Sequence, residues 1–310
     1  MPPADSGSEA TLEDVIKADA EYYQTVYLFV TIYEILNRKN IKCQIEHDIT
    51  NCSGRIVRPD FLLLSDSNVG EIIEHKASLN ASFAEKELED IIQKYECVKW
   101  EERTYNPQVI GLIPVDLLKI VEKIRDEKNL KIFLSGFAVN LDIYQISFEM
   151  HDNPKNSLVS TIFNDVIEFD PKRLAEFRFI KAEPKYITYT AFFVWTILKM
   201  FYDPYIANNN YFEVDFDKVS KRAMDFFPSW IRNNRQLASS RIRRALKFLD
   251  KINFVDWKEG NKTIRVYYSR GTKVHEVWAY FREKYVELQK KKKKQKNKKA
   301  SKTKQLTLFS

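Results

Sequence analysis

The sequence predicts an α/β unit with a mixed sheet, then a mostly helical unit, then a disordered lysine-rich tail. Three observations carry this. Short β-rich runs alternate with helix-period stretches over residues 20–151, whereas residues 186–289 hold helical runs and one hairpin pattern. Charge divides the same way, with a net of −10 over residues 1–185, +7 over 186–289 and ten lysines without an acid over 290–310. With only 7 glycines and 10 prolines in 310 residues, short loops and plentiful helices are expected.

In chain order, residues 1–19 read as a flexible start. Residues 20–37 (AEYYQTVYLFVTIYEILN) place apolar side chains at helical spacing. IKCQIEHDIT and RIVRPDFLLL read as strands about the turn-like NCSG at 51–54, and GEIIEHKASL as a third strand. ASFAEKELEDIIQKYECVKW reads as a helix with Ser82 as N-cap. QVIGLIP follows as a strand, VDLLKIVEKIRDEKN as a helix, and LKIFLSGFAV and DIYQISFEM as two more strands. Residues 152–185, with DNP, DP and EP dipeptides and no clear period, read as the junction. Beyond it come three helices, ITYTAFFVWTILKMFY, DFDKVSKRAMDFF and RQLASSRIRRALKFLDKI. A hairpin turning at Glu259-Gly260-Asn261 follows, which is the layout of a winged helix. HEVWAYFREKYVELQ reads as a last helix running into the tail.

Composition sets bounds on function. An apolar fraction of 44%, with 14% aromatic, is enough to build cores and too much for general disorder. The start is acidic and lacks an apolar signal segment, and the longest apolar stretch is too short to span a bilayer, so no membrane partner is expected. The three cysteines, Cys43, Cys52 and Cys97, are scattered and odd in number. The reading is no disulfide framework, no zinc site and a reducing compartment, either the cytoplasm with its nucleoid or a nucleus.

The strongest chemical pattern is Pro59-Asp60 followed by Glu74-His75-Lys76. Residues two apart on a strand share a face, so Glu74 and Lys76 point together and His75 points away. If the strand after Asp60 pairs with the one carrying Glu74, two carboxylates meet a lysine among Ile, Leu and Phe. That arrangement is costly without a cation, and oxygen ligands favour Mg²⁺ or Mn²⁺. The corresponding chemistry is metal-assisted phosphodiester hydrolysis, with Lys76 orienting a water or stabilising charge on the phosphate. His47, His75 and His151 show no metal-ligand spacing.

PD…EHK after a first helix and before a helix carrying Gln93-Lys94-Tyr95 resembles the PD-(D/E)xK nuclease superfamily over roughly residues 20–115. Within that superfamily it is most similar to archaeal Holliday-junction resolvases and RecB-type nuclease domains. The resemblance implies a restriction-endonuclease-like mixed-sheet sandwich, a divalent metal at Asp60 and Glu74, and cleavage leaving a 5′-phosphate. It also implies a metal contact from the His75 backbone carbonyl, a first-helix glutamate that maps onto Glu34 with Glu46 as its rival, and supporting roles for Gln93 and Tyr95. The QKY spacing is shorter than the Q-x-x-x-Y of the RecB pattern. Junction resolvases act as dimers because they cut two symmetric strands, which implies a homodimer, although no patch in the sequence marks a dimer face.

The helix ASSRIRRALKFLDKI sorts by angle into an apolar stripe (Ile242, Ala245, Leu246, Leu249, Ile252) and a basic side (Arg241, Arg244, Lys247, Lys251, with Arg243 beside them). A recognition helix is built this way, and the hairpin adds Lys258, Lys262 and Arg265, so DNA is the expected partner. The ending KTKQLTLFS, with Gln305, Leu306, Leu308 and Phe309, resembles the sliding-clamp-binding peptides of replication and repair proteins. The resulting expectation is a structure-directed DNA endonuclease tethered to a clamp. A restriction-type endonuclease, or a non-catalytic DNA-binding recruiter on a nuclease-like fold, stands as the alternative.

Overall fold

The computed structural model describes residues 10–307, except 66–67, 78–80, 141–144, 151, 153–156, 162–165, 169–179, 181–182, 204–210, 227–234 and 268–273. The protein is mixed α/β. It divides into two compact units, one of residues Met1–Tyr23 and Ala182–Ser310 and the other of residues Gln24–Lys181.

The first helix, α1 (Leu12–Arg38), starts eight residues before the expected helix at residue 20, so residues 12–19 are not a flexible start. A reciprocal cap explains this. The Thr11 hydroxyl accepts from the Asp14 amide at 3.1 Å, and the Asp14 carboxylate accepts from the Thr11 amide at 2.8 Å. Residues up to Tyr23 belong to the first unit and those from Gln24 to the second.

The Gln24–Lys181 unit is built on a seven-stranded mixed sheet. Its strands are β1 (Lys42–Ile45), β4 (Phe61–Ser65), β5 (Asn68–His75), β8 (Gln108–Pro114), β9 (Phe133–Asn140), β10 (Gln145–Met150) and β11 (Val166–Glu168), in that spatial order. The central pairs β5–β8 and β8–β9 are parallel, and the outer pairs are antiparallel. A second sheet of four short strands takes the order β3 (Ile56–Val57), β2 (Ile49–Asn51), β6 (Val98–Trp100), β7 (Arg103–Tyr105). Two runs expected as single strands are therefore each split between the sheets. The first breaks at Glu46, which adopts φ 47°, and the second at Pro59, which cannot donate to a ladder.

Helices α2 (Ala84–Tyr95) and α3 (Val115–Glu127) cover the large sheet through Leu88, Ile91, Tyr95, Leu118 and Val121, all buried. At Gly136 a Cβ would sit 2.8 Å from Leu118 Cδ2 and 3.0 Å from Val115 Cγ2, so a larger residue would make these α3 side chains shift. The α2 helix ends at Tyr95, five residues before the expected end, because Val98–Trp100 joins the small sheet instead.

The scattered cysteines contradict the expected absence of a disulfide: Cys52 and Cys97 are joined, with Cα atoms 5.4 Å apart. The β2–β6 ladder pairs Asn51 with Val98, and the Cys52 amide donates to the Cys97 carbonyl at 3.0 Å, a proximity that a separation of 45 residues conceals in sequence. Cys43 is free.

The other unit runs α4 (Ile187–Lys199), β12 (Tyr211–Asp215), α5 (Phe216–Asp225), α6 (Arg235–Lys251), β13 (Val255–Asp256), β14 (Thr263–Tyr267) and α7 (Val274–Thr307). The hairpin turns through Gly260 at φ 96°, and its second strand β14 lies between β13 and β12. The strand β12 was missed in sequence because it directly precedes the Asp215 N-cap of α5, which accepts from the Asp217 and Lys218 amides. The Leu12–Tyr23 half of α1 packs here. Its Asp19, 1% exposed, accepts from Thr188 Oγ1 at 2.8 Å, Trp278 Nε1 at 2.9 Å and Arg282 Nε at 2.8 Å.

The α7 helix continues through Thr307, where disorder from residue 290 is expected from sequence. Residues 274–307 contain neither Gly nor Pro, and lysine is a good helix former. No helix among the described residues is long and apolar enough to cross a membrane.

Candidate functional site

Strand alternation puts the motif on two faces of β5. Glu74 and the Lys76 that follows it both reach α2, while His75 turns the other way between Phe29 and Phe137, at ring distances of 5.7 and 5.0 Å. On the α2 side, Glu74 is 7% exposed and both its oxygens are engaged. Oε1 accepts from Lys94 Nζ at 3.0 Å and Oε2 from the Tyr95 hydroxyl at 2.8 Å. Lys76 is held more loosely, with its Nζ 3.9 Å from Glu87 Oε2 and its amide donating to the Leu112 carbonyl at 3.0 Å.

Asp60 arrives from the neighbouring strand. The β4–β5 register pairs Phe61 with Ile73, which brings Asp60 to the level of Glu74. The Asp60 Oδ2 accepts from the His75 amide at 2.6 Å, and the Asp60 carbonyl accepts from the Glu46 amide at 3.0 Å. Burial, and then the charge of Glu74, hold the Asp60 carboxyl well above the usual carboxylate range, and Glu46 adds to the effect. Burial also pushes the Tyr95 hydroxyl upward, so it remains a donor to Glu74. The His75 imidazole is pushed down to about 3 by burial and then by Lys76, so it is neutral at ordinary pH.

Of the two candidate third acids, the structure sets Glu46 beside Asp60. Glu46 is 4% exposed, at the bend where the chain leaves the large sheet. Glu34 instead pairs with Arg38 one turn along α1, at 3.5 Å. Tyr95 bonds Glu74, but Gln93 is exposed and the second residue that reaches Glu74 is Lys94. Sequence reasoning also passed over Arg58, bonded to Asp48 at 2.5 Å and close enough for its charge to act on Glu46 and Tyr95. Its signal was position alone, two residues before Asp60.

As a metal site, the donor chemistry suits a hard divalent cation: two buried carboxylates on adjacent strands, the carboxyl of Asp60 raised by burial and then by the charge of Glu74. Among the described residues no three His, Cys, Asp or Glu side chains stand together as a ready cage, and the Lys94 ammonium sits on Glu74. A cation would take over at Glu74 the neutralising role that the Lys94 ammonium now plays.

Comparison with protein-family models, curated proteins and solved structures finds no match to this chain.

The expected DNA-contacting residues of the other unit meet different fates. Arg241 is 1% exposed, so it belongs to the core and not to a DNA face. Arg244 forks onto Glu183 at 2.7 and 2.5 Å, Lys247 pairs with Glu259 at 2.7 Å, and Arg265 pairs with Glu213 at 3.1 Å. Arg243 lies over the Phe216 ring at 5.5 Å. Lys251 and Lys262 are exposed. Gln305 and Leu306 fall within α7, while Leu308 and Phe309 lie outside the described residues.

Proposed function

We propose that this chain is a Mg²⁺- or Mn²⁺-dependent deoxyribonuclease. The observation that carries the reading is the convergence of Asp60 and Glu74 from adjacent strands, with Lys76 on the same face of β5 as Glu74. Asp60 and Glu74 would hold the cation, together with the His75 carbonyl. When bound, it supplies Lewis acidity at a scissile phosphate and a water of lowered pKa. The chain's own groups do the rest. Tyr95 fixes one Glu74 oxygen so that the other is aimed, and Glu87 restrains Lys76 without a close bond. Lys76 is thereby kept available to orient the attacking water or to stabilise charge on the phosphate. Arg58, half-exposed beside the carboxylates, is suited to a neighbouring phosphate of the same strand.

DNA as the substrate is supported by the basic Ala182–Ser310 portion, whose helix–strand–helix–helix–hairpin order resembles the layout of a winged helix. The QLTLF ending supports recruitment by a sliding clamp. One observation favours a second reading: with Lys94 on Glu74 and no ready three-acid cage, the chain could be a DNA-binding recruiter on a retired catalytic framework.

The deciding experiment is cleavage of labelled single-stranded, duplex, flap, fork and four-way-junction DNA with Mg²⁺ or Mn²⁺. Wild type is expected to cut, while Asp60→Asn and Lys76→Ala bind equally well and cut about 10²-fold more slowly or worse. DNA bound by wild type without cleavage of any substrate would establish the recruiter instead.

A further inference from the structure

We infer that the phosphate-backbone contact of the Ala182–Ser310 portion lies at the α6–α7 junction, in a recess lined by Lys251, Lys284 and Lys291, and not at the Arg244–Lys247 stretch of α6. The inference rests on the reading that this chain acts on DNA. The recess has a volume of about 200 Å³, several times the roughly 30 Å³ that one water occupies in the liquid, so a phosphodiester group fits within it. Lys251 comes from the end of α6 and Lys284 and Lys291 from two turns of α7, with Asn253 and Tyr280 completing the wall.

Charge favours this place over the Arg244–Lys247 stretch. Beside it Arg241 is buried, while Arg244 and Lys247 each already face a carboxylate, as does Arg265 on the adjoining hairpin. A phosphate arriving there must compete with Glu183, Glu259 and Glu213. In the recess the single acid is Glu287, which Lys284 holds at 2.8 Å, and Lys251 has no ion pair among the described residues. The α6 C-terminus contributes only about half a negative elementary charge. Its last carbonyls are moreover satisfied by the amides of Asn253 (3.0 Å) and Phe254 (2.9 Å). The lysines outweigh it. The exposed lysines 290–294 extend the same positive surface along α7. Lysines make point-charge contacts without bidentate geometry, so the ligand is a nucleic-acid backbone held without reading its sequence.

The test uses full-length Asp60→Asn protein, so that binding is read apart from cleavage, with fluorescence anisotropy on a labelled random-sequence duplex across a salt series. The additional change Lys251→Gln/Lys284→Gln/Lys291→Gln is expected to weaken binding at least about tenfold and to flatten the log–log salt slope by two to three. Arg244→Gln/Lys247→Gln should leave both nearly unchanged. Lys251→Gln alone, at an exposed position, should give a smaller loss of the same kind and guards against misfolding of the triple variant. Unchanged affinity and slope in the triple variant would overturn the inference, as would an equal loss in the Arg244/Lys247 control. Lysine-dependent binding to phosphatidylserine vesicles without DNA binding would also overturn it. Wild-type cleavage of DNA with lysine-independent binding would sink this inference alone, and lysine-dependent binding without cleavage would sink only the nuclease reading.

Discussion

Glu74 is shared between two donors whose removal should act in opposite directions on metal. Lys94 competes with a cation for Oε1, so Lys94→Met is expected to tighten Mn²⁺ binding, read by calorimetric titration. Tyr95→Phe leaves Oε2 buried without its donor, which costs about 1–3 kcal/mol of stability and should loosen Mn²⁺. Equal effects of the two changes would refute this division of roles. The Cys43 thiol gives a pH-dependent signal elsewhere in the same unit, since burial pushes it up to about 11 from an ordinary 9.0. An acid whose folded-state value is raised favours folding below its unfolded value and loses that contribution as pH climbs through the folded one. The stability supplied by Cys43 should therefore fade between about pH 9 and 11, and iodoacetamide should label it slowly at pH 8. Fast labelling of the native protein would contradict this. Much at this scale was legible in the sequence. Period-two alternation alone assigned Glu74 and Lys76 to one face and His75 to the other. Lys94 was not legible, because which side of α2 meets the sheet is settled by the buried Leu88, Ile91 and Tyr95, and Gln93 falls off that stripe.

Elements, and not residues, explain how the third acid reaches Asp60. The chain leaves the large sheet for the small one at Glu46 and returns to it at Pro59, and these bends bring Glu46 and Asp60 together. Hydrophobic period cannot reveal such a transfer, since a strand that changes sheets keeps its alternation. The capping pair Thr11–Asp14 was readable in principle but escaped notice because Asp takes the place of the commoner Glu. The disulfide closes a loop of chain that contains Asp60, Glu74, Lys76 and the whole of α2. Loop-closure entropy for such a span is about 4 kcal/mol, so reduction by a dithiol should lower the unfolding free energy of this unit by about 2–4 kcal/mol. Urea melts with and without dithiothreitol measure it, and Cys52→Ser should abolish the dependence on reductant. A midpoint indifferent to dithiothreitol in the wild type would rule out this contribution.

At the scale of the whole molecule, sequence reading found two units and a basic end but misplaced the border. The expected division cut the chain near residue 20 and again across 152–185, whereas residues Met1–Tyr23 form one compact unit with Ala182–Ser310. The reason is physical: Asp19 is buried among Thr188, Trp278 and Arg282, partners more than 160 residues away that no local period can announce. Asp19→Ala should destabilise the Ala182–Ser310 portion by about 3 kcal/mol, because Arg282, only 16% exposed, would lose its buried partner. Removal of residues 1–23 should do at least as much. Thermal melting followed by tryptophan fluorescence, which reports on Trp278 and Trp195, is the measure, and an unshifted melt would show that the N-terminal turns are dispensable.

The single helix Leu12–Arg38 also imposes an order on biosynthesis. Its first turns are made before the Gln24–Lys181 unit, yet the residues that cover Asp19 and Tyr22 are made only after that whole unit. At ordinary translation speeds that wait is on the order of ten seconds. A nascent chain of this protein thus carries the Val15–Tyr22 stretch uncovered while the Gln24–Lys181 unit is being made, the interval in which a chaperone has something to hold.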